Sequence, residues 1–369
     1  MYKRFIHFFY FSFLTFIFNL YSWSAPANLS STGENANSPQ VAINTNGDAI
    51  VVWSRYNGSN YIIQASKWNG VSWSSVADLS SIGEDAFDPQ ITIDSSGNAI
   101  AVWERYNGSN YIIQASRWNG ASWSSPADLS NTGGNAFYPQ IAVNSTGNAT
   151  TIWERYNGST WIIQASNWDG ISLLFSTTDL SSVLISASDP QIAIDPNNNP
   201  IAIWQRYDGS NYIIQASRLN GFWSTAIDLP NTGMSTFDPL IAIDPSGNAI
   251  VVWIVHNGSY YTVQATTFNG STWSTATNLS SDTTYTFDPQ ISTNSTGTAL
   301  SVWKKYDLLN YVIQATELTG TSWSPITNLS NTGKITGLPK VAVNSSGNSV
   351  VVWTIHNGSN YIIQTSTNP

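Results

Sequence analysis

The chain has 369 residues, a formal net charge of −9 from 13 basic and 22 acidic side chains, and no cysteine. So acidic and sparsely basic a surface argues against nucleic acid and anionic membrane as partners, since both would repel it. Disulfides contribute nothing, and a chain of this size can bury enough apolar surface to fold without them.

Residues 1–22 carry Lys3 and Arg4, an apolar Phe-rich run over 5–20, and small residues at Ser22 and Ser24. This order predicts a secretory signal peptide cleaved after Ser22 or Ser24. The apolar run, about sixteen residues, is shorter than the roughly twenty that a membrane anchor needs. The expectation is an exported soluble chain, 23–369, whose charge becomes −11 once Lys3 and Arg4 are removed. No later segment is long and apolar enough to span a bilayer.

From Pro39 onward one sentence repeats. Pro39, Pro89, Pro139, Pro190, Pro239, Pro289 and Pro339 open seven copies, spaced 50, 50, 51, 49, 50 and 50 residues apart. In the second copy, β-branched and apolar runs alternate with Gly, Asn and Pro punctuation, which predicts four short strands. Strand a covers 90–94, and the SSGN turn at 95–98 leads into strand b at 99–106. The Asn107-Gly108 pair has the chemistry of a tight hairpin turn into strand c at 111–118. Asn119-Gly120 then turns the chain into strand d at 122–129.

Strands b and c place apolar residues at consecutive positions, so both of their faces must be buried. A four-stranded antiparallel unit that cannot cover both faces by itself stacks on copies of itself, and radial stacking gives an all-β propeller. The last copy stops after its strand c. Residues 23–30, WSAPANLS, match strand d of other copies and precede the first of them. The two ends therefore predict a single seven-bladed β-propeller over 23–369, closed by the N-terminal strand d completing the C-terminal blade.

Trp53, Trp103, Trp153, Trp204, Trp253, Trp303 and Trp353 recur in strand b and are expected to pack blade against blade. Gln64, Gln114, Gln164, Gln215, Gln264, Gln314 and Gln364 lie in apolar strand c. Their amides must be hydrogen-bonded, and the backbone of a neighbouring loop is the expected partner. Asp94, Asp195 and Asp244 in the a–b turns offer one carboxylate each, too few oxygens for calcium, and read as Asx turns.

The c–d turn is similar to the Asp-box of sialidase-type propellers, SxDxGxTW. Ser66, Gly70, Ser72 and Trp73 match it, while Trp68 stands in the Asp place; the pattern recurs at 116–123 and more loosely at 266–273 and 316–323. The segment 241–253, IAIDPSGNAIVVW, resembles NHL-type blades. These resemblances imply propeller blades, with the box remote from any active centre, and they imply no chemistry.

Strand order places the b–c turns and d–a loops on one face. That face carries Arg55, Tyr56, Glu104, Arg105, Tyr106, Glu154, Arg155, Tyr156, Arg206 and Tyr207, with Phe87 and Phe137 beside them. Asp88, Asp189, Asp238 and Asp288 precede strand-a prolines and predict an acidic ring around the channel mouth. Aromatic faces pack on sugar C–H groups and charged groups bond sugar hydroxyls, so the expected function is an exported, monomeric, non-catalytic, lectin-like binder of glycans. A protein–protein scaffold is the alternative, and a sialidase-like glycoside hydrolase a further one. No cofactor or metal is expected: cysteine is absent, and 23–369 contains only His256 and His356.

Overall fold

The computed structural model describes residues 28–30, 35–131, 133–168, 176–231, 235–308, 310–330, 336–344, 347–356 and 359–368. The expected leader, and residues 23–27 of the expected N-terminal strand, lie outside these. The described residues form seven antiparallel sheets in chain order and no helix. The second sheet is representative: Ala86–Ile93 (strand a), Ala99–Tyr106 (b), Tyr111–Trp118 (c) and Ala127–Asp128 (d), hydrogen-bonded in that order. In the seventh sheet the described strands are Lys340–Val343, Ser349–His356 and Tyr361–Asn368.

The turns explain why the hairpins form. Asp94 Oδ1 accepts the backbone N–H groups of Ser96 and Asn98 at 2.9 Å each, an Asx turn that closes strand a onto strand b. At the b–c turn Asn107 Oδ1 accepts from Ser109 and Asn110, and Gly108 takes φ 93°, which a side chain would strain. Between them the b–c ladder runs without a break from Ala99 opposite Trp118 to Tyr106 opposite Tyr111. Strand d is shorter than its apolar pattern suggests. Trp123 bridges Trp118, and the ladder resumes only at Ala127 and Asp128; between them Ser124 donates its N–H to the Arg117 carbonyl and accepts the Arg117 N–H on its hydroxyl, so side-chain bonding replaces the regular ladder.

Strand a carries the one irregularity common to the first six sheets. In the second, Phe87 faces Glu104 and Gln90 faces Val102, so Asp88 and Pro89 together oppose Trp103. This bulge suits a proline, and it turns Asp88 to φ 47°. Ser38, Tyr138, Asp189, Asp238 and Asp288 adopt the same left-handed conformation, with φ between 49° and 55°.

Consecutive sheets share their cores. Trp103 packs with Ile50, Val52, Ile63 and Leu79 of the first sheet, and Trp153 packs with Val102, Ile113 and Leu129 of the second. Trp204, Trp253, Trp303 and Trp353 repeat this against the third to sixth sheets. Each such indole, removed from water, stabilises its junction by about 3 kcal/mol or more. At the two ends the corresponding faces are uncovered. Val41 and Ile43 of the first sheet are 64% and 67% exposed, and Ile363 of the seventh is 69% exposed.

Within a sheet, polar side chains tie three strands together. Trp53 Nε1 donates to Gln64 Oε1 at 3.2 Å, and Gln64 Nε2 donates to Asp78 Oδ1 at 2.7 Å. The same chain runs from Trp204 through Gln215 to Asp228, and from Trp303 through Gln314 to Asn328. The expectation that these glutamines bond loop backbone is corrected: Gln64, Gln114, Gln164, Gln215, Gln264 and Gln314 each donate to a strand-d carboxylate or amide, and Gln64, Gln215 and Gln314 also accept the strand-b indole N–H. The strand-d residue lies directly across the ladder from each glutamine, within reach of a short side chain.

Candidate functional site

Strands a are the innermost, and each packs on the strand a of the next sheet. Bulge residues of neighbouring sheets therefore meet around one axis, as Ser38 Oγ does in donating to Asp88 Oδ1 at 3.2 Å. The residue after each strand-b tryptophan faces the bulge. Glu104 Oε1 accepts the backbone N–H of Tyr138 at 2.7 Å, and Glu154 Oε1 accepts that of Asp189 at 2.8 Å. Each glutamate thus clamps the bulge of the following sheet. Gln205 instead turns its Nε2 to Asp189 Oδ2 (2.6 Å) and Ser188 Oγ (3.1 Å), leaving its Oε1 buried without a hydrogen-bond donor. Lys304 pairs with Asp288 at 2.5 Å.

The mouth of the axis is asymmetric as a result. At the bulge stand Ser38, Asp88, Tyr138, Asp189, Asp238, Asp288 and, in the seventh copy, Leu338. After the tryptophans stand Ser54, Glu104, Glu154, Gln205, Ile254, Lys304 and Thr354. On the side of the fourth to seventh sheets a cavity of about 310 Å³ opens between Asp189, Asp238, Asp288, Gln290, Leu338 and Lys340.

Electrostatics follow from crowding carboxyl groups into a protein-walled space. Burial pushes Glu104 up to about 7; the Tyr138 N–H opposes the shift, and the charges of Asp88 and Glu154 add to it. Glu154 is likewise pushed up to about 7 by burial, against the Asp189 N–H and with the Asp189 charge. Burial also raises Asp238, with Asp189 and Asp288 as repelling neighbours. The Tyr138 phenol is raised by burial and by the surrounding carboxylates, Glu154 first. Two carboxyl groups that titrate near neutrality can each donate or accept a proton there.

The residues named from the sequence fall into four places. Glu104, Glu154, Asp88, Asp189, Asp238 and Asp288 gather at the mouth. The arginines occupy strand b further out: Arg105 pairs with Glu84 and lies 4.0 Å from Asp128, and Arg206 pairs with Asp228 at 3.2 Å. Arg55 and Arg155 hold the same position in the first and third sheets. The tyrosines lock turns, with the hydroxyls of Tyr56, Tyr106 and Tyr207 donating to the carbonyls of Gly58, Gly108 and Gly209 at 3.0 Å. Phe87 and Phe137 join adjacent sheets through ring contacts: Phe87 meets Tyr61 and Tyr111, and Phe137 meets Tyr111 and Trp161. Tyr156 meets Trp161 with ring centroids 5.4 Å apart and the planes tilted by 51°. Tyr138, Gln205 and Lys304 belong to the same b–c and d–a face in the sequence, but they were not among the ligand groups expected from it. The available signal was variation between copies in the column before the proline and the column after the tryptophan.

No family model matches the chain, and no curated protein does. Solved structures match it at the level of fold. An ulvan lyase of polysaccharide lyase family PL25 superposes with a TM-score of 0.57 at 12% identity, covering 90% of this chain and 93% of its own. The same lyase bound to -[GlcA(1-4)Rha3S]- gives 0.55 at 13% identity over 90% and 93%. A protein of unknown function from Dyadobacter fermentans gives 0.50 at 12% identity over 90% and 94%. These matches overturn the expectation of a non-catalytic binding protein. That expectation took repeat architecture without a catalytic motif as a sign of binding alone, yet an enzyme has this architecture across nearly the whole chain.

Proposed function

We propose that the chain is an exported, monomeric glycoside hydrolase whose site is the mouth of a closed seven-bladed ring, with Glu104 and Glu154 as its proton-transferring pair. The observation that carries this reading is the pair itself: two buried carboxyl groups on adjacent sheets, both near 7, beside the exposed Tyr138 phenol. Glycosidic bonds are hydrolysed by such pairs, one group protonating the leaving oxygen while the other activates water or attacks the sugar. Elimination, the chemistry in the name of the ulvan lyase, is disfavoured here. Breaking a uronate by elimination builds negative charge beside its carboxylate, and this mouth already holds a surplus of negative charge. The aromatic and arginine groups from Arg55 and Tyr56 to Arg206 and Tyr207, with Phe87 and Phe137, are proposed to carry sugar units leading to the mouth. Closure of the ring would cover Val41, Ile43 and Ile363 as the equivalent positions are covered at the other junctions.

The test is a polysaccharide panel read for new reducing ends and for the ultraviolet absorbance of unsaturated products. New reducing ends without that absorbance are expected, with E104Q and E154Q each lowering the rate by about a hundredfold or more. Unsaturated products, or full activity in both variants, would refute hydrolysis by this pair.

A further inference from the structure

Arg105, Arg155 and Arg206 hold one position in three successive sheets, but their company differs. Arg105 pairs with Glu84 and has Asp128 4.0 Å away, and Arg206 pairs with Asp228 at 3.2 Å. Half-buried Arg155 forms no ion pair among the described residues. Asp179, the strand-d counterpart of Asp128 and Asp228, gives its carboxylate to Gln164 Nε2 at 2.6 Å and does not pair with Arg155. A second observation lies in the loop before strand a. Fifty positions after Glu84 the chain has Gly134, so the residue that would answer Glu84 carries no side chain. Gly134 is buried, and a Cβ on it would stand 2.4 Å from the Tyr156 carbonyl oxygen and 3.9 Å from Arg155 Nη2. The loop thus passes beside the guanidinium at a point where it can supply no carboxylate without moving.

A half-buried guanidinium without a counter-charge has given up water and gained no partner, which is costly unless an anion arrives. Its planar fork of N–H donors matches two oxygens of a carboxylate or a sulfate. Trp153, two residues earlier on the same face of strand b, packs on the second sheet, so Arg155 faces that sheet too. Glu104 enters the same junction from the second sheet, where it accepts the Tyr138 N–H. We propose that Arg155 is an anion subsite that receives the acid group, carboxylate or sulfate ester, of a sugar unit flanking the bond cleaved at the mouth. An acid group held here, further out than the mouth, is spared the repulsion of the carboxylates that line it. The glycan as carrier rests on the hydrolytic reading above; the anion subsite rests on Arg155 and Gly134.

Phenylglyoxal labels accessible arginines that are not held in ion pairs, and peptide mass spectrometry reads each site separately. Arg155 should be labelled at least about threefold faster than Arg105 and Arg206 at low ionic strength. Glucuronate should then slow the labelling of Arg155 saturably, by at least about fivefold, and glucose should not. Inorganic sulfate is the second arm: protection by sulfate alone assigns a sulfate ester, by glucuronate alone a uronate, and by both any compact oxyanion. E84A frees Arg105 as Gly134 frees Arg155, so Arg105 should gain faster labelling and protection by the same anion. Labelling of Arg155 no faster than that of Arg105, or no protection beyond that of glucose, would overturn the subsite. Because none of this requires cleavage, such a failure leaves the Glu104 and Glu154 reading standing. Activity that survives E104Q and E154Q would instead remove the hydrolase reading and leave the anion subsite in place.

Discussion

Replacing Glu104 with glutamine removes a charge that the fold holds against the solvent. Folding moves this carboxyl from 4.5 to about 7. Between those two values the native state keeps a proton that the unfolded chain has released, so stability falls as pH rises through the window and the whole penalty stands above pH 7. At about 1.4 kcal/mol per pH unit, the penalty is about 3 kcal/mol near pH 8. The amide of E104Q carries no charge, its oxygen can still accept the Tyr138 N–H, and Gln205 shows that a glutamine fits this position in the fourth sheet. E104Q is therefore expected to be about 2–3 kcal/mol more stable than the parent near pH 8 and nearly equal to it near pH 4. Urea unfolding at the two pH values measures this directly. Because Glu154 is one of the charges that raise Glu104, E104Q together with E154Q should gain less than the sum of the two. A stability difference that does not change with pH, or an E104Q protein less stable near pH 8, would show that the clamp on Tyr138 favours the ionised glutamate and that burial is not the dominant force at the mouth.

Q114A removes the only hydrogen-bonding step between strands c and d made by that side chain, the 2.7 Å bond to Asp128, and should cost about 2 kcal/mol in chemical denaturation, since a partly buried carboxylate loses its donor. Equivalent strand-a positions of adjacent sheets meet around the axis, as Lys340 and Gln290 do, so ring closure would bring Lys340 beside Gln40. In a chain with no native cysteine, the pair Q40C and K340C should react with a short bis-maleimide within one molecule; cross-linking only between molecules would show that another copy covers these faces.

Much of the fold was legible in the residues. Strands b and c run over 99–106 and 111–118 as their patterns predict, because an unbroken ladder between two Asx-type turns leaves the register no freedom. The packing of the strand-b tryptophans on the preceding sheet was legible too, since a large indole in a strand buried on both faces must meet a neighbouring sheet. The glutamine partners were not. A polar side chain in an apolar strand announces a hydrogen bond without naming the acceptor, and only the short strand d brings Asp128 opposite Gln114.

The candidate site divides in the same way. Local sequence determined the period, the hairpins, the buried faces and the acidic residue before most of the strand-a prolines, all of which depend on neighbours a few positions apart. Tertiary structure decided what those residues do. The bulge that turns Asp88 and Tyr138 toward the axis arises from a proline meeting a ladder in another strand. The clamp from Glu104 to Tyr138 spans 34 residues and two sheets. A carboxyl group rises to about 7 only because the fold withdraws it from water among other carboxylates, and that crowding comes from stacking the copies around one axis, which no single copy contains.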